Sequence, residues 1–166
     1  MESAKWKKGC IKMFIMDVDG TLTDGKIYIS ARGEEFKAFN VQDGLGIKLL
    51  REKGIIPVLI TGRNSEIVRC RAAELGIDEV YQGVDDKLAV YRGLKEKYRL
   101  DDEEIAYIGD DLNDLPLINL AGLSFAVADA VQAVKETATV VTTRNGGEGA
   151  VREAIEMILR TMKPGS

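Results

Sequence analysis

The chain has 166 residues and a mass of 18.2 kDa, and 45% of the residues are hydrophobic and 30% charged; this length and composition predict one globular domain with a buried core and exclude an intrinsically disordered chain. The 23 Lys and Arg against 27 Asp and Glu give a net charge of −4, so no overall positive charge attracts nucleic acid or a membrane surface. Histidine is absent, which excludes Ser-His-Asp and Cys-His catalysis, and zinc sites that use His, within this chain.

Short apolar runs alternate along the chain with longer segments of helical periodicity. The apolar runs predict strands at 11–16, 55–60, 79–81, 105–108, 124–126 and 140–141. Helices are predicted at 44–53, from a Ser65 cap to Gly76, and at 88–98, 112–120 and 148–162. Apolar strands that alternate with helices predict an α/β fold of Rossmann-like type, with helices on both faces of a parallel sheet.

One segment breaks this alternation. Residues 25–39 contain two short runs typical of strands, separated by the polar stretch 30–35, which predicts a β-hairpin inserted after the first strand, over the mouth of the sheet. The sequence has no internal repeat, low-complexity stretch or interdomain linker, so we expect one domain over residues 1–166, with a tail at 163–166.

The amino-terminal residues and the cysteines bear on the cellular compartment. Residues 1–8 lack the apolar region of a signal peptide. The longest uncharged run, 115–128, is shorter than the roughly 20 residues that span a bilayer. Cys10 and Cys70 are too far apart for a metal pair of the C-x-x-C kind, although one disulfide between them stays open. These features predict a cytoplasmic protein.

Reactive side chains follow three of the predicted strands. They are Asp17 and Asp19 after the first strand, Thr61 after the second, and Asp110, Asp111 and Asp114 after the strand at 105–108, with Lys87 at the start of the preceding helix. Ligands bind where the carboxyl ends of parallel strands meet. Carboxylates gathered there would repel one another, and an all-oxygen ligand set with room for water suits Mg²⁺. A hydroxyl and an ammonium group suit a phosphoryl group.

These motifs, Asp17-x-Asp19-Gly20-Thr21, Thr61, Lys87 and Gly109-Asp110-Asp111-x-x-Asp114, resemble in order those of the haloacid dehalogenase superfamily, in its phosphatase branch. The resemblance implies that Asp17 attacks phosphorus to form an aspartyl-phosphate, and that Asp19 protonates the leaving alcohol and then activates water. It also implies that Mg²⁺ is held by Asp17, Asp110 and the backbone carbonyl of Asp19. Thr61 and Lys87 would hold the phosphoryl oxygens, with Asp111 or Asp114 as support.

Further segments resemble the capless branch that contains the phosphatases of 3-deoxy-D-manno-octulosonate (KDO) 8-phosphate, namely 24–25, 40–44, 61–63, 81–83 and 146–153. This resemblance implies hydrolysis of that phosphate to KDO and phosphate in lipopolysaccharide precursor synthesis, by a homotetramer whose inserted hairpins associate. The substrate contacts that it implies fall on Asp19, Asn40, Val41, Gln42, Asp43, Gly44, Lys48, Arg63, Arg71 and Lys87.

Several alternatives stay open at this point. The Gly-Gly-Glu-Gly run at 146–149 is similar to phosphatases of nine-carbon acids such as 2-keto-3-deoxynonulosonate 9-phosphate, whereas Arg63 favours the eight-carbon substrate. A non-catalytic assembly domain of sugar-acid metabolism, or a phosphoryl-accepting protein without rapid hydrolysis, would also carry such a fold. Residues 40–44 could cap a helix that begins at Gly44, with Asp43 as the N-cap. Lys48, Arg63 and Arg71 could be ordinary surface residues.

Overall fold

A computed structural model gives the structure of residues 6–162. The strands, numbered in chain order, are β1 (Met13–Met16), β2 (Tyr28–Ser30), β3 (Gly33–Phe36), β4 (Ile56–Ile60), β5 (Glu79–Tyr81), β6 (Ile105–Gly109), β7 (Leu123–Ala126) and β8 (Val140–Val141). Six of them form one sheet in the order β5-β4-β1-β6-β7-β8, in which every neighbouring pair is parallel. The tail predicted at 163–166 lies outside the described residues.

Within residues 6–162, six α-helices flank this sheet. They are α1 (Val41–Glu52), α2 (Glu66–Leu75), α3 (Lys87–Tyr98), α4 (Leu115–Leu120), α5 (Gln132–Thr137) and α6 (Ala150–Arg160). Helix α1 packs against α6 and α2, and α4 packs against α3 and α5. All side chains of β1 are buried, as expected for the centre of a sheet covered on both faces. The predicted α/β class is confirmed. Across residues 6–162, no helix combines the length and the apolar character needed to cross a membrane.

The inserted hairpin is confirmed as an antiparallel pair of β2 and β3, between β1 and α1. It forms its own two-stranded sheet. Several of its apolar side chains are exposed, and the Tyr28 and Phe36 rings stack with their centroids 4.3 Å apart. The prediction of a single domain stays a prediction.

The start predicted for the first helix was wrong. Helix α1 begins at Val41 and not at Gly44, because the side chain of Asn40, in extended backbone, accepts a hydrogen bond from the Gln42 amide at 2.8 Å. Asn40 is therefore the N-cap. Asp43, expected in that role, lies in the first turn of the helix with its side chain buried.

The helix predicted at 112–120 is divided in the structure. A 3-10 turn covers Leu112–Asp114, and α4 follows it. The side chain of Asp114 folds back onto the amides of Asp110 and Asp111, at 2.9 and 3.2 Å, which holds the first turn tight. Helix α5 was not predicted, since Val134 is its one buried residue and a single apolar position gives no periodicity.

Candidate active site

The carboxyl ends of β1, β4 and β6 carry the predicted catalytic residues. Asp17 follows β1, and its amide donates to the carbonyl of Ile108 on β6 at 3.1 Å. Thr61 follows β4, and its amide donates to the carbonyl of Tyr81 at 2.9 Å. Both side chains are buried at this edge of the sheet. Backbone hydrogen bonds to the neighbouring strands therefore fix the positions of both residues.

Lys87 is the first residue of α3, after the Asp86 N-cap, and its ammonium group reaches into the same edge. Its Nζ lies 2.7 Å from Asp17 Oδ1 and 2.8 Å from Asp114 Oδ1. Burial lowers the pKa of Lys87, but the two carboxylates outweigh burial and raise it overall. Lys87 therefore keeps its positive charge next to Asp17.

Asp114 is fully buried and holds this cluster together. Its Oδ1 accepts from Lys87 and from the hydroxyl of Tyr107, the latter at 2.5 Å, and its Oδ2 accepts from the amides of Asp110 and Asp111. Four hydrogen bonds fill the acceptor positions of a carboxylate. Asp114 is thus placed to support its neighbours. Tyr107 was missed from the sequence, because an aromatic residue in a buried strand is typical of a core.

Asp17 and Asp110 form a pair of close carboxylates. One oxygen of each, together with one of Asp114, lies within 4.8 Å of the others. Burial and the Asp114 charge raise the pKa of Asp17, although Lys87 opposes them, and burial and the Asp17 charge raise the pKa of Asp110. Such a pair holds a proton at neutral pH or is neutralised by a cation. The donor set fits a small divalent cation.

Gly20 allows the Asp110 carboxylate to approach the turn after Asp19. Gly20 has φ +88°, and a Cβ at this position would lie 2.0 Å from Asp110 Oδ2. Any side chain here would therefore displace Asp110 or the turn. The absence of a side chain at Gly20 therefore lets the Asp110 carboxylate lie against the backbone next to Asp19.

Asp19 contacts a residue that the sequence did not single out. The Nζ of Lys37, directly after β3, lies 2.5 Å from Asp19 Oδ1 and 2.9 Å from Glu34 Oε1. Burial raises the pKa of Glu34, but hydrogen bonds from Ser65 and Lys37 outweigh it and lower the pKa overall. A lone lysine in a hairpin is usually solvated, so the sequence holds no signal for this role.

The segment 40–44 divides between surface and interior. Val41 and Gln42 are exposed, whereas Asp43 and Gly44 are buried. The Asp43 carboxylate accepts from the Arg152 amide at 2.8 Å. Burial raises the pKa of Asp43 to about 6, although Arg144, Arg71 and Arg152 oppose it. The exposed residues of this segment face solvent, and the buried ones join α1 to the start of α6.

Besides Lys87, three basic residues are predicted to contact substrate, and they occupy different surroundings. Arg63 is exposed on the loop after Thr61. Arg71 is mostly buried, forms a 2.9 Å ion pair with Glu74 and lies 5.6 Å from the centre of the Phe39 ring. Lys48 lines a surface depression between α1 and the end of α2, and none of the predicted catalytic residues lines that depression. Of the three, Arg63 shares a loop with a catalytic candidate.

Known hydrolases are similar to this chain in sequence. The family described as haloacid dehalogenase-like hydrolase matches residues 76–155. The 3-deoxy-D-manno-octulosonate 8-phosphate phosphatase of Escherichia coli K12 is 47% identical over 149 residues, which cover 90% of this chain and 79% of the relative.

Solved structures are similar over almost the whole chain. The phosphatase of the same name from Moraxella catarrhalis, in complex with magnesium ion, phosphate ion and KDO, has a TM-score of 0.90 at 46% identity, over 93% of this chain and 89% of that one. The cobalt-bound phosphatase from Haemophilus influenzae has a TM-score of 0.89 at 45% identity, over 92% and 89% of the two chains.

Proposed function

The chain belongs to the haloacid dehalogenase-like hydrolases, in the branch of 3-deoxy-D-manno-octulosonate 8-phosphate phosphatases, and from this premise we propose that it hydrolyses KDO 8-phosphate to KDO and phosphate with Mg²⁺. The observation that carries the proposal is the placement of Lys87 between Asp17 and Asp114, beside Asp110. A buried ammonium group next to a buried carboxylate suits transfer of a phosphoryl group to that carboxylate.

Asp17 is the nucleophile in this proposal. A carboxylate oxygen of Asp17 forms a bond to phosphorus while the bond from phosphorus to the sugar oxygen breaks. Asp19 donates a proton to that leaving oxygen, and then accepts one from the water that attacks the aspartyl-phosphate. The water oxygen ends in the released phosphate, and Asp17 is restored. No histidine is required, in agreement with the composition.

The remaining residues hold the phosphoryl group and the cation. Thr61 and Lys87 donate to the phosphoryl oxygens, and Asp114 fixes Lys87 through its 2.8 Å ion pair. Asp17, Asp110 and the backbone carbonyl of Asp19 would hold Mg²⁺. When bound, the cation neutralises negative charge on the carboxylates and on the transferring group. Positioning and charge neutralisation supply most of the rate in such reactions.

We infer that Arg63, the half-buried Asn40 and the exposed residues Val41 and Gln42 contact the sugar acid. Arg63 stands two residues after Thr61, and a guanidinium group suits the carboxylate of the substrate. Lys48, Arg71, Asp43 and Gly44 stay weaker candidates. Lys48 lies in a depression away from the catalytic candidates, Arg71 forms an ion pair with Glu74, and Asp43 and Gly44 are buried.

The Gly-Gly-Glu-Gly run has a backbone explanation that is independent of the substrate. A Cβ at Gly146 would lie 1.8 Å from the carbonyl oxygen of Gly20, and the Gly147 amide donates to the Thr21 carbonyl at 3.0 Å. The glycines therefore let this loop pack on the turn that follows Asp19. The run does not favour the nine-carbon alternative, and Arg63 and the names of the relatives support the eight-carbon acid.

A homotetramer and a cytoplasmic location are further parts of the proposal. Ile29 and Phe36 of the hairpin are 68% and 56% exposed, and large exposed apolar side chains on one short element are typical of an interaction surface. The assembly of four copies rests on the family resemblance. Both cysteines are free, which suits a reducing compartment.

Phosphate release from KDO 8-phosphate tests this proposal. We expect Mg²⁺-dependent turnover by the wild-type chain and a loss of about 10³-fold or more in Asp17→Asn. Asp78→Asn is the matched control, since Asp78 is an exposed carboxylate directly before β5, away from the carboxyl edge of the sheet. Turnover by Asp17→Asn at the wild-type rate would exclude the nucleophile, and no turnover by the wild type would exclude the substrate.

A further inference from the structure

Among the lysines and arginines that form ion pairs within residues 6–162, Lys37 has the most deeply buried side chain. Its side chain has no exposed area, whereas those of Asp19 and Glu34 are 20% and 16% exposed. Its Nζ lies 2.5 Å from Asp19 Oδ1 and 2.9 Å from Glu34 Oε1. A buried ammonium group is costly unless opposite charges compensate it. These two carboxylates therefore hold Lys37 in place.

Glu34 connects this ion pair to the next strand end. Its second oxygen accepts a hydrogen bond from the hydroxyl of Ser65, which is the N-cap of α2. Ser65 follows the loop that contains Thr61 and Arg63. The hairpin is therefore anchored at two places: Lys37 contacts Asp19 after β1, and Glu34 contacts Ser65 at the start of α2.

Asp19 depends on this arrangement for its orientation. Within the described part of the chain, Lys37 is the one side chain that bonds to the Asp19 carboxylate. An aspartate on a turn can rotate about two side-chain bonds, and an acid–base group must lie within hydrogen-bond distance of the proton that it moves. Without Lys37, the structure offers the carboxylate no other side-chain partner that would select one rotamer.

We propose that Lys37 is the positioning residue of Asp19: its ion pair holds the acid–base carboxylate in one orientation, and the inserted hairpin is the element that supplies it. The inference rests on the proposed function, in which Asp19 moves the protons. Lys37 touches neither substrate nor the reacting phosphorus in this account. It acts through Asp19, with Glu34 as its second anchor.

A double-mutant cycle with Asp19 separates this role from a purely structural one. We expect Lys37→Met to lower kcat about 30-fold or more with less than about threefold change in KM, because orientation matters in the proton-transfer steps. In an Asp19→Asn background the same substitution removes little further activity, since its effect passes through the missing carboxylate. Lys12→Met is the matched control, because Lys12 forms an exposed ion pair with Glu104.

A crystal structure of Lys37→Met gives a second readout that needs no turnover. The expected result is an Asp19 carboxylate in more than one orientation while Asp17 and Asp110 stay in place. If Lys37→Met fails to fold, Glu34→Gln keeps the lysine and weakens its second anchor, and we expect a smaller loss of kcat in the same cycle.

Three results would overturn the inference: wild-type kcat in Lys37→Met, losses that multiply in the double variant, or an unchanged Asp19 orientation in the variant crystal. Failure of the proposed function looks different, because the wild type itself would then not hydrolyse KDO 8-phosphate. In that case the cycle is measured with p-nitrophenyl phosphate, and the crystal structure decides on positioning if that substrate is also not hydrolysed.

Discussion

The buried carboxylate of Asp43 has too few hydrogen-bond donors to stabilise its charge fully. It is 1% exposed, and its Oδ1 accepts from the Arg152 amide. Its Oδ2 has no hydrogen-bond partner among the described residues. Burial raises its pKa to about 6 against an ordinary value of 3.8. The folded protein therefore binds this proton more tightly than the unfolded chain, and stability from this group is lost as the pH rises from about 4 to about 6.

Asp43→Asn removes this dependence. The free energy of unfolding of the variant minus that of the wild type is expected to rise by up to about 3 kcal/mol between pH 4 and pH 7, and to level off above it. Urea denaturation over this pH range measures the difference. Asp78→Asn, at an exposed position, is the control. A difference that does not change with pH would refute the account of Asp43.

Residues with a fixed place in a motif could be predicted, and residues placed by tertiary packing could not. Three of the motif residues directly follow strands, namely Asp17, Thr61 and Asp110, and Lys87 is the first residue of α3. The topology therefore brings all four to one edge of the sheet. Lys37 reaches Asp19 across 18 residues through the fold of the hairpin. No local pattern distinguishes such a lysine from a solvated one.

The inserted hairpin contacts the candidate site and also exposes apolar side chains to solvent. Its inward residues Glu34 and Lys37 contact the candidate site, and its exposed residues Ile29 and Phe36 face away from the core. One short element thus combines a proposed association surface with contacts to the acid–base group. Its position between β1 and α1 brings both to the carboxyl edge of the sheet.

Ile29→Asp tests the association surface. Ile29 is 68% exposed in the single chain, so the change is expected to leave the monomer folded and to shift the proposed tetramer towards smaller species, because a charge would replace apolar area in the proposed interface. Sedimentation velocity measures the shift. Val141→Asp, on the edge strand β8, changes another exposed apolar residue and serves as the control. A wild type that sediments as a monomer would contradict the proposed assembly.

The boundaries of elements show where sequence patterns are insufficient. Ser65 and Gly76 were predicted as the ends of α2 and were confirmed there, because a capping side chain and a left-handed glycine leave local signals. The start of α1 was misplaced, since both Asn40 and Asp43 are favourable caps. Burial of Asp43 against α6 selects Asn40, and that contact is not local.

For the whole molecule, the raised pKa values of Asp17 and Asp110 predict proton-linked binding of Mg²⁺. Both groups must be ionised to share a cation, and burial together with mutual repulsion favours their protonated forms in its absence. The affinity for Mg²⁺ is therefore expected to fall as the pH is lowered, by up to about tenfold per pH unit for each proton displaced.

Isothermal titration of the metal-free protein with Mg²⁺ at pH 6, 7 and 8 measures this linkage. Titrations in buffers of different ionisation enthalpy also count the protons released on binding. Asp78→Asn, at an exposed position away from this edge of the sheet, should keep the wild-type dependence, and Asp110→Asn should weaken binding at every pH. An affinity that is the same at all three pH values would contradict the assignment of this carboxylate pair.

The most direct test of the account compares kcat/KM for KDO 8-phosphate and 2-keto-3-deoxynonulosonate 9-phosphate with the Mg²⁺-loaded wild type, and with Asp17→Asn as the blank. A preference of about tenfold or more for the eight-carbon substrate is expected, equivalent to about 1.4 kcal/mol in transition-state binding. A preference for the nine-carbon phosphate, or turnover of neither above the blank, would contradict it.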